Sequence, residues 1–116
     1  MSKKSIMQLS EFNITQKIIE SLSNACTRSV LFSVKNESKD VGQIANELKL
    51  SLSTVYKTLS ILEDLALAEV EQYIISPEGK KIKLYRSRIG KVEITLEGFE
   101  PILNLYPNDD SPKFIS

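Results

Sequence analysis

The chain has 116 residues, of which 41% are apolar and 26% charged, and its 15 basic and 15 acidic side chains leave a net charge of zero. This size allows one hydrophobic core, and the composition is that of a globular protein and excludes a disordered chain. One cysteine excludes an internal disulfide, and no apolar run is long enough to cross a bilayer, so we expect one cytoplasmic domain without a membrane segment.

The first third of the chain predicts two amphipathic helices. Apolar residues recur at helical spacing over residues 9–22. Ser23 and Asn24, which are residue types that cap helices well, then interrupt the pattern. The apolar stripe resumes over residues 26–34, which indicates a second helix that ends near Lys35.

Two further helices are predicted on either side of a tight turn. Asp40 closes a polar loop over residues 36–40 and can cap a short third helix over residues 41–48. Ser51 is the predicted N-cap of a fourth helix. The apolar residues of this helix follow one another at three- and four-residue intervals: Val55, Leu59, Leu62 and Leu65.

The remaining chain has the alternating pattern of strands. Residues 70–74 and 82–86 predict two strands joined at a tip over residues 76–80, which contains proline and glycine. Residues 91–96 predict a third strand or an extended dimerisation segment, and Gly98 and Pro101 leave the next stretch without a clear pattern. We therefore expect a domain over residues 1–106 and a frayed tail over residues 107–116.

The order of predicted elements is that of a winged helix-turn-helix, a mainly α fold with a small β-hairpin wing (α+β). In this motif a short helix and a turn position a second helix, whose exposed N-terminal residues reach base edges. With the apolar stripe buried, hydroxyl, phenol and ammonium groups remain on the outside of that helix, and these groups can bond to bases or phosphates. The candidate DNA-binding residues are Ser51, Ser53, Thr54, Tyr56, Lys57 and Ser60.

Basic residues are concentrated in the predicted hairpin. Residues 76–91 carry six basic and one acidic side chain, whereas residues 92–116 carry one basic and five acidic ones. Such lysines can simply keep a sheet edge soluble, but behind a helix-turn-helix we favour contact with DNA. Lys80 and Lys81 would then contact phosphates or the minor groove, and Arg86 and Arg88 would bind the DNA backbone as anchors.

The segment IANELKLSLSTVYKTLSILEDLAL, residues 44–67, resembles the helix-turn-helix of ArsR-like winged-helix transcription regulators. Residues 22–31, around Thr27 and Arg28, are similar to the stretch that precedes this motif in the family. The resemblance spans roughly residues 20 to 90, the size of a small domain. It implies a homodimer that binds promoter DNA and alters transcription.

Two features depart from the pattern of that family. Lys49 and Ala66 stand where glycine, which adopts a positive φ freely, is common, so the turn could differ in geometry. Metal-sensing members carry a cysteine pair on the helix that corresponds to residues 41–48, and this segment has none. Because the chain also lacks histidine, we expect neither a metal nor another cofactor.

Several residues leave alternatives open. Arg28 can reach a phosphate or pair with an acidic neighbour, and Cys26 fits a small buried apolar residue better than a redox-active thiol. The sequence offers no histidine, glycine-rich phosphate loop or cysteine cluster, so we do not expect an enzyme. Whether a small-molecule effector binds is left open, because no convergent polar set marks a pocket.

The oligomeric state is predicted from apolar residues that one small core would leave uncovered. They are Leu9, Phe12, Ile18, Phe99, Ile102 and Leu105. They predict a homodimer that uses the first helix and the segment after Arg88. The alternative function is a winged-helix module that docks on another protein without specific DNA binding, which the neutral net charge and the acidic C-terminal segment favour.

Overall fold

The computed structural model describes the backbone of residues 3–108 and the side chains of residues 13–108. Within this part of the chain, four helices precede two antiparallel hairpins. The elements are α1 (Lys3–Leu22), α2 (Ala25–Ser33), α3 (Val41–Leu48), α4 (Leu52–Asp64), β1 (Ala68–Ile75), β2 (Lys81–Ser87), β3 (Ile89–Thr95) and β4 (Ile102–Pro107). We call β1–β2 the wing and β3–β4 the second hairpin. The predicted winged helix-turn-helix is confirmed.

Polar caps fix where three of the helices begin. The side chain of Asn24 accepts a hydrogen bond from the backbone N–H of Thr27, and Ser51 accepts one from Thr54. Asp40 and Gln43 form a reciprocal capping box at the start of α3. These bonds satisfy backbone donors that have no partner within the helix, which confirms the predicted starts of α3 and α4.

Lys49 and Ala66 end α3 and follow α4 in the left-handed conformation, with φ of 59° and 60°. Behind them, the N–H of Leu50 donates to Ala45 over 3.0 Å and that of Leu67 donates to Leu62 over 2.8 Å. This is the bonding of a glycine-terminated helix end. The turns thus keep the geometry that glycine commonly provides, although neither residue is glycine.

The core forms where the helices meet the base of the wing. Its fully buried side chains include Val30, Leu31, Val34, Ile44, Val55, Leu59, Leu62 and Leu67. Ile18 and Leu22, one turn apart on α1, also lie in this core. The prediction that Ile18 contributes uncovered apolar surface is therefore wrong. The side chains of Leu9 and Phe12 lie outside the described part.

The wing is held to the loop before α3. Backbone bonds of 3.0 and 2.8 Å join Lys39 and Tyr85 in both directions, which adds a bridge at the free edge of β2. At the tip, Gly79 has φ of 87° and its N–H donates to the carbonyl of Ser76. Glycine adopts this backbone conformation without strain, which explains the tight turn predicted there.

The second hairpin shows the structure of residues 89–107, whose pattern the sequence left partly open. Residues 89–95 form a strand, as one alternative predicted, and the return strand β4 was not predicted at all. The side-chain amide of Asn108 donates to the carbonyls of Lys35 (2.7 Å) and Ser87 (2.9 Å). The predicted tail is therefore wrong at Pro107 and Asn108, and residues 109–116 lie outside the described part.

Candidate nucleic-acid interface

An open groove of about 540 Å³ separates α4 from the wing. Tyr56, Ser60 and Glu63 of α4 recur at helical spacing and line one wall. The first residues of α3 form its floor. The wing supplies the other wall, with the lysines Lys80, Lys81 and Lys83 and with Tyr85. The groove thus combines hydroxyl groups on the helix side with ammonium groups on the wing side.

Strand alternation explains which basic residues face this groove. Lys81 is paired with Ile75 and Lys83 with Tyr73, so these four side chains share one face of the wing. The ammonium group of Lys81 lies 4.2 Å from the ring centroid of Tyr73. Lys83 was not among the predicted site residues, although its two-residue spacing from Lys81 was the signal that could have identified it.

Arg86 lies on the opposite face of the wing and is only 4% exposed. Its Nε donates to the carbonyl of Lys35 over 3.0 Å, and its guanidinium lies 3.1 Å from the carboxylate of Glu71. The prediction that Arg86 anchors a DNA backbone is wrong, because its bonds are made inside the protein. Arg88, between β2 and β3, is exposed and stays a candidate.

The start of α4 holds a small cluster of hydroxyl groups. Ser51 accepts from the backbone N–H of Thr54 (3.1 Å) and donates to the Thr54 hydroxyl (2.8 Å). Its own oxygen lies 3.2 Å from that of Ser53. Ser51 is thus occupied as the helix cap, and Thr54 is half-buried. The exposed predicted residues of α4 are Ser53, Tyr56, Lys57 and Ser60.

Charge is distributed unevenly across the groove. Asp40 and Glu63 lie on the helix side and the lysines on the wing side. Burial raises the pKa of the Tyr85 phenol, and Glu63 adds to this rise. Tyr85 therefore stays neutral in the groove. Because the lysines lie on the wing side, a phosphate group would be attracted to the wing rather than to the acidic helix side.

Arg28 and Cys26 lie away from this groove, on α2. The guanidinium of Arg28 donates to the carbonyl of Leu22 over 2.8 Å, so it caps the end of α1. This bond corresponds to neither of the two roles considered for Arg28 from sequence. Cys26 is half-buried rather than fully buried.

Residues 28–70 match the family model described as bacterial regulatory protein, arsR family. This segment is similar to the helix-turn-helix of ArsR-family regulators. The matched segment runs from α2 into β1 and so contains both helices of the helix-turn-helix motif, α3 and α4. The family consists of regulators, so the match supports DNA-binding transcription regulation and not catalysis. No curated protein matches the chain.

Among residues 3–108, no helix is both long enough and apolar enough to cross a membrane. Among residues 13–108, whose side chains are described, no three or more cysteine, aspartate or glutamate side chains are grouped so as to bind a metal ion.

Proposed function

We propose that this protein is an ArsR-like regulator and acts as a homodimer that binds a specific site on double-stranded DNA. In each subunit α4 enters the major groove and the wing lies along the flanking backbone. The observation that carries this proposal is the groove itself, in which Tyr56 and Ser60 of α4 stand opposite Lys81 and Lys83 of the wing. A major groove about 12 Å wide admits a helix of this kind.

Base recognition is assigned to the exposed face of α4. Tyr56 is 60% exposed, and Ser53, Lys57 and Ser60 are exposed beside it. Their hydroxyl and ammonium groups can donate to base edges, and serine and tyrosine can also accept. Ser51 supports this face indirectly, since it fixes the first turn of the helix.

Affinity for the phosphate backbone of DNA is assigned to the wing. Lys80, Lys81 and Lys83 project from it without a carboxylate partner among the described ion pairs, and Arg88 is exposed nearby. Each phosphate contact of this type releases condensed counterions and contributes a salt dependence of about −0.9 to the slope of log K against log salt. The acidic side of the groove, with Asp40 and Glu63, keeps the same backbone away from the end of α4.

Dimerisation is assigned to α1 and to the segment after Arg88. Ile14 of α1 is 56% exposed, and Phe99, Ile102 and Leu105 of the second hairpin are uncovered. Helix-turn-helix dimers read two half-sites whose spacing reflects the symmetry of the protein. A dimer would therefore place two copies of α4 in successive major grooves.

The experiment is selection of bound sequences from random duplexes, followed by fluorescence anisotropy at increasing salt. We expect enrichment of a palindromic site and a steep salt slope. Lys80→Glu with Lys81→Glu should weaken binding strongly, whereas Lys91→Glu, on the second hairpin, is the control and should not. Weak binding without enrichment, unaffected by the charge reversal, would contradict the proposal and favour a protein-docking module.

A further inference from the structure

The second hairpin has two chemically different faces. In its register Val92 is paired with Leu105 and Ile94 with Leu103, and Leu96 continues the same alternation directly after β3. Paired residues of antiparallel strands lie on the same face of a sheet. One face of the hairpin therefore consists of these five apolar side chains and carries no charge.

The body of the protein covers only part of this apolar face. Val92 and Leu103 are half-buried against the core. Ile94, Leu105 and Leu96 remain 44%, 37% and 75% exposed, and Phe99 in the connecting loop is 95% exposed. A two-stranded hairpin is at best marginally stable on its own and needs further packing of its apolar face.

The other face is polar and internally satisfied. The Tyr106 hydroxyl donates to the Glu93 carboxylate over 2.7 Å. Lys91 lies 3.3 Å from the same carboxyl group and 5.1 Å from the centroid of the Tyr106 ring. These groups suit contact with water. Ile102, paired with Thr95 at the end of this face, is apolar and exposed, but most of the uncovered apolar surface lies on the opposite face.

We propose that two copies of the chain pack their second hairpins face to face across a two-fold axis, through Ile94, Leu96 and Leu105. The inference rests on the homodimer of the proposed function and specifies how it is built. An uncharged face is compatible with itself, as a two-fold interface requires, because no like charges meet. Sheets that pack in this way lie about 10 Å apart.

The charge of the hairpin argues against nucleic acid as its occupant. Residues 89–107 contain three glutamates and one lysine, Lys91, so the second hairpin has a net negative charge and repels phosphates. The wing carries the opposite charge, and Arg88 alone separates the two hairpins along the chain. The two hairpins thus have different roles: the wing contacts DNA, and the second hairpin joins the subunits and fixes the distance between the two wings.

The area required also defines what else takes part. A stable interface buries about 800 Å² on each partner. Three exposed side chains of one hairpin, even with Phe99, supply a fraction of this, so the remainder is expected from α1, which the proposed function assigns to the same dimer. The hairpin should still be decisive, because a charge placed in the centre of a desolvated apolar contact is strongly unfavourable.

The test introduces one lysine on either face of the second hairpin in the full-length protein. Ile94→Lys alters the apolar face, and Asn104→Lys, on the polar face beside Glu93, is the matched control. Sedimentation velocity should show dimers for the natural protein and Asn104→Lys, and a dimer dissociation constant at least about tenfold higher for Ile94→Lys. Dimers of equal strength in both variants, or a monomeric natural protein, would overturn the proposal.

A second measurement covers the case in which Ile94→Lys does not fold. Leu96→Cys and Asn104→Cys are each made in a Cys26→Ser background and treated with a flexible thiol-to-thiol crosslinker, because the two copies of one residue need not lie within disulfide distance across the axis. The proposal requires a covalent dimer from Leu96→Cys and little from Asn104→Cys, and the reverse result overturns it. Binding to a duplex with one half-site is measured in parallel: if it persists while crosslinking fails, the hairpin interface is wrong and DNA binding stands.

Discussion

Arg86 and Lys35 are joined by a bond of 3.0 Å from the arginine Nε to the lysine backbone carbonyl. The bond ties β2 of the wing to the end of α2, and the contact between Arg86 and Glu71 adds a charged partner on β1. The lysines on the other face of the same strand point into the groove. The basic residues of β2 therefore divide into one that holds the wing in place and others that are free to meet DNA.

Replacing Arg86 should lower stability and leave the electrostatics of DNA binding unchanged. Arg86→Met keeps the apolar stem of the side chain but leaves the Lys35 carbonyl with one donor fewer and Glu71 without its partner. We expect a loss of about 1–3 kcal/mol in the free energy of unfolding, since the Glu71 side chain is 30% exposed and can regain water. Urea denaturation measures the loss.

The exposed Arg88 provides the control for Arg86. Arg88→Met should leave the free energy of unfolding within about 0.5 kcal/mol of its natural value. If Arg86→Met instead left stability intact and reduced the salt slope of DNA binding, then Arg86 would have to turn outward in the complex, contrary to the expectation.

The error at Arg86 shows how far the sequence could be followed. Alternation along β2 places Arg86 on the same face as Ile82 and Leu84, but those two side chains are only half-buried. Tyr85, Arg86 and Ser87 are all buried at the base of the wing, whichever face they lie on, so strand parity alone did not show the burial of Arg86. The bond from Arg86 to the Lys35 carbonyl, just after α2, joins residues 51 apart in the chain, which no local pattern shows.

Lys83 should contribute to DNA binding as much as the predicted Lys81. It lies on the groove side of the wing and opposite Tyr73. Lys83→Ala removes one phosphate contact from each subunit of the dimer, so it should reduce the magnitude of the salt slope by about 1.8. It should leave the preferred sequence unchanged, because a phosphate contact carries no base information. Anisotropy titrations at several salt concentrations test this, with Lys91→Ala as the control. An unchanged slope for Lys83→Ala would remove it from the interface.

Ser51 should act on DNA binding only through the helix it caps. Ser51→Ala removes the acceptor for the Thr54 N–H and should cost about 1 kcal/mol in the free energy of unfolding. Ser51→Asp retains a capping oxygen and should recover most of that loss. Thermal unfolding of both variants tests this, and a stable Ser51→Ala with altered sequence preference would instead show a direct base contact.

The fold was predictable where local chemistry decides it and less so elsewhere. Asp40 and Ser51 predict the starts of α3 and α4, because an N-cap contacts a residue only three positions further along the chain and is therefore visible in the local sequence. Gly98 and Pro101 left the next stretch without a clear pattern in the sequence, and in the structure they belong to the connection between β3 and β4. After these two residues, Leu103 and Leu105 alternate with polar residues, but this pattern is too short to predict a strand by itself. The pairing of these leucines with β3 is what defines the strand β4.

Ala66, just beyond α4, allows a test of backbone strain. At φ of 60° its Cβ is crowded, and a left-handed residue other than glycine costs about 1–2 kcal/mol. Ala66→Gly relieves this strain but gives the unfolded chain more freedom, so we expect a net gain of up to about 1 kcal/mol in the free energy of unfolding. Ala66→Val, β-branched at the same position, should be less stable than the natural protein. A loss on Ala66→Gly would contradict the left-handed conformation.

The polar face of the second hairpin should show itself in acid titration. The hydrogen bond from Tyr106 lowers the pKa of the Glu93 carboxyl, and Lys91 lowers it further. A depressed pKa in the folded state gives a stabilisation that is present above the unfolded value and is lost as the pH falls through the folded one. Tyr106→Phe should raise the pKa of Glu93 toward its ordinary value, and Lys91→Ala should raise it as well.

Carbon-detected NMR of the Glu93 carboxyl against pH measures these shifts in the folded protein. Because Tyr106→Phe removes only the hydroxyl and leaves the ring in place, the hairpin itself should persist, which amide shifts along β3 report. If Glu93 titrated at the same pH in the natural protein and in Tyr106→Phe, the bond between the two side chains would not exist in solution. The polar face would then lack the internal pairing that assigns the partner to the opposite face.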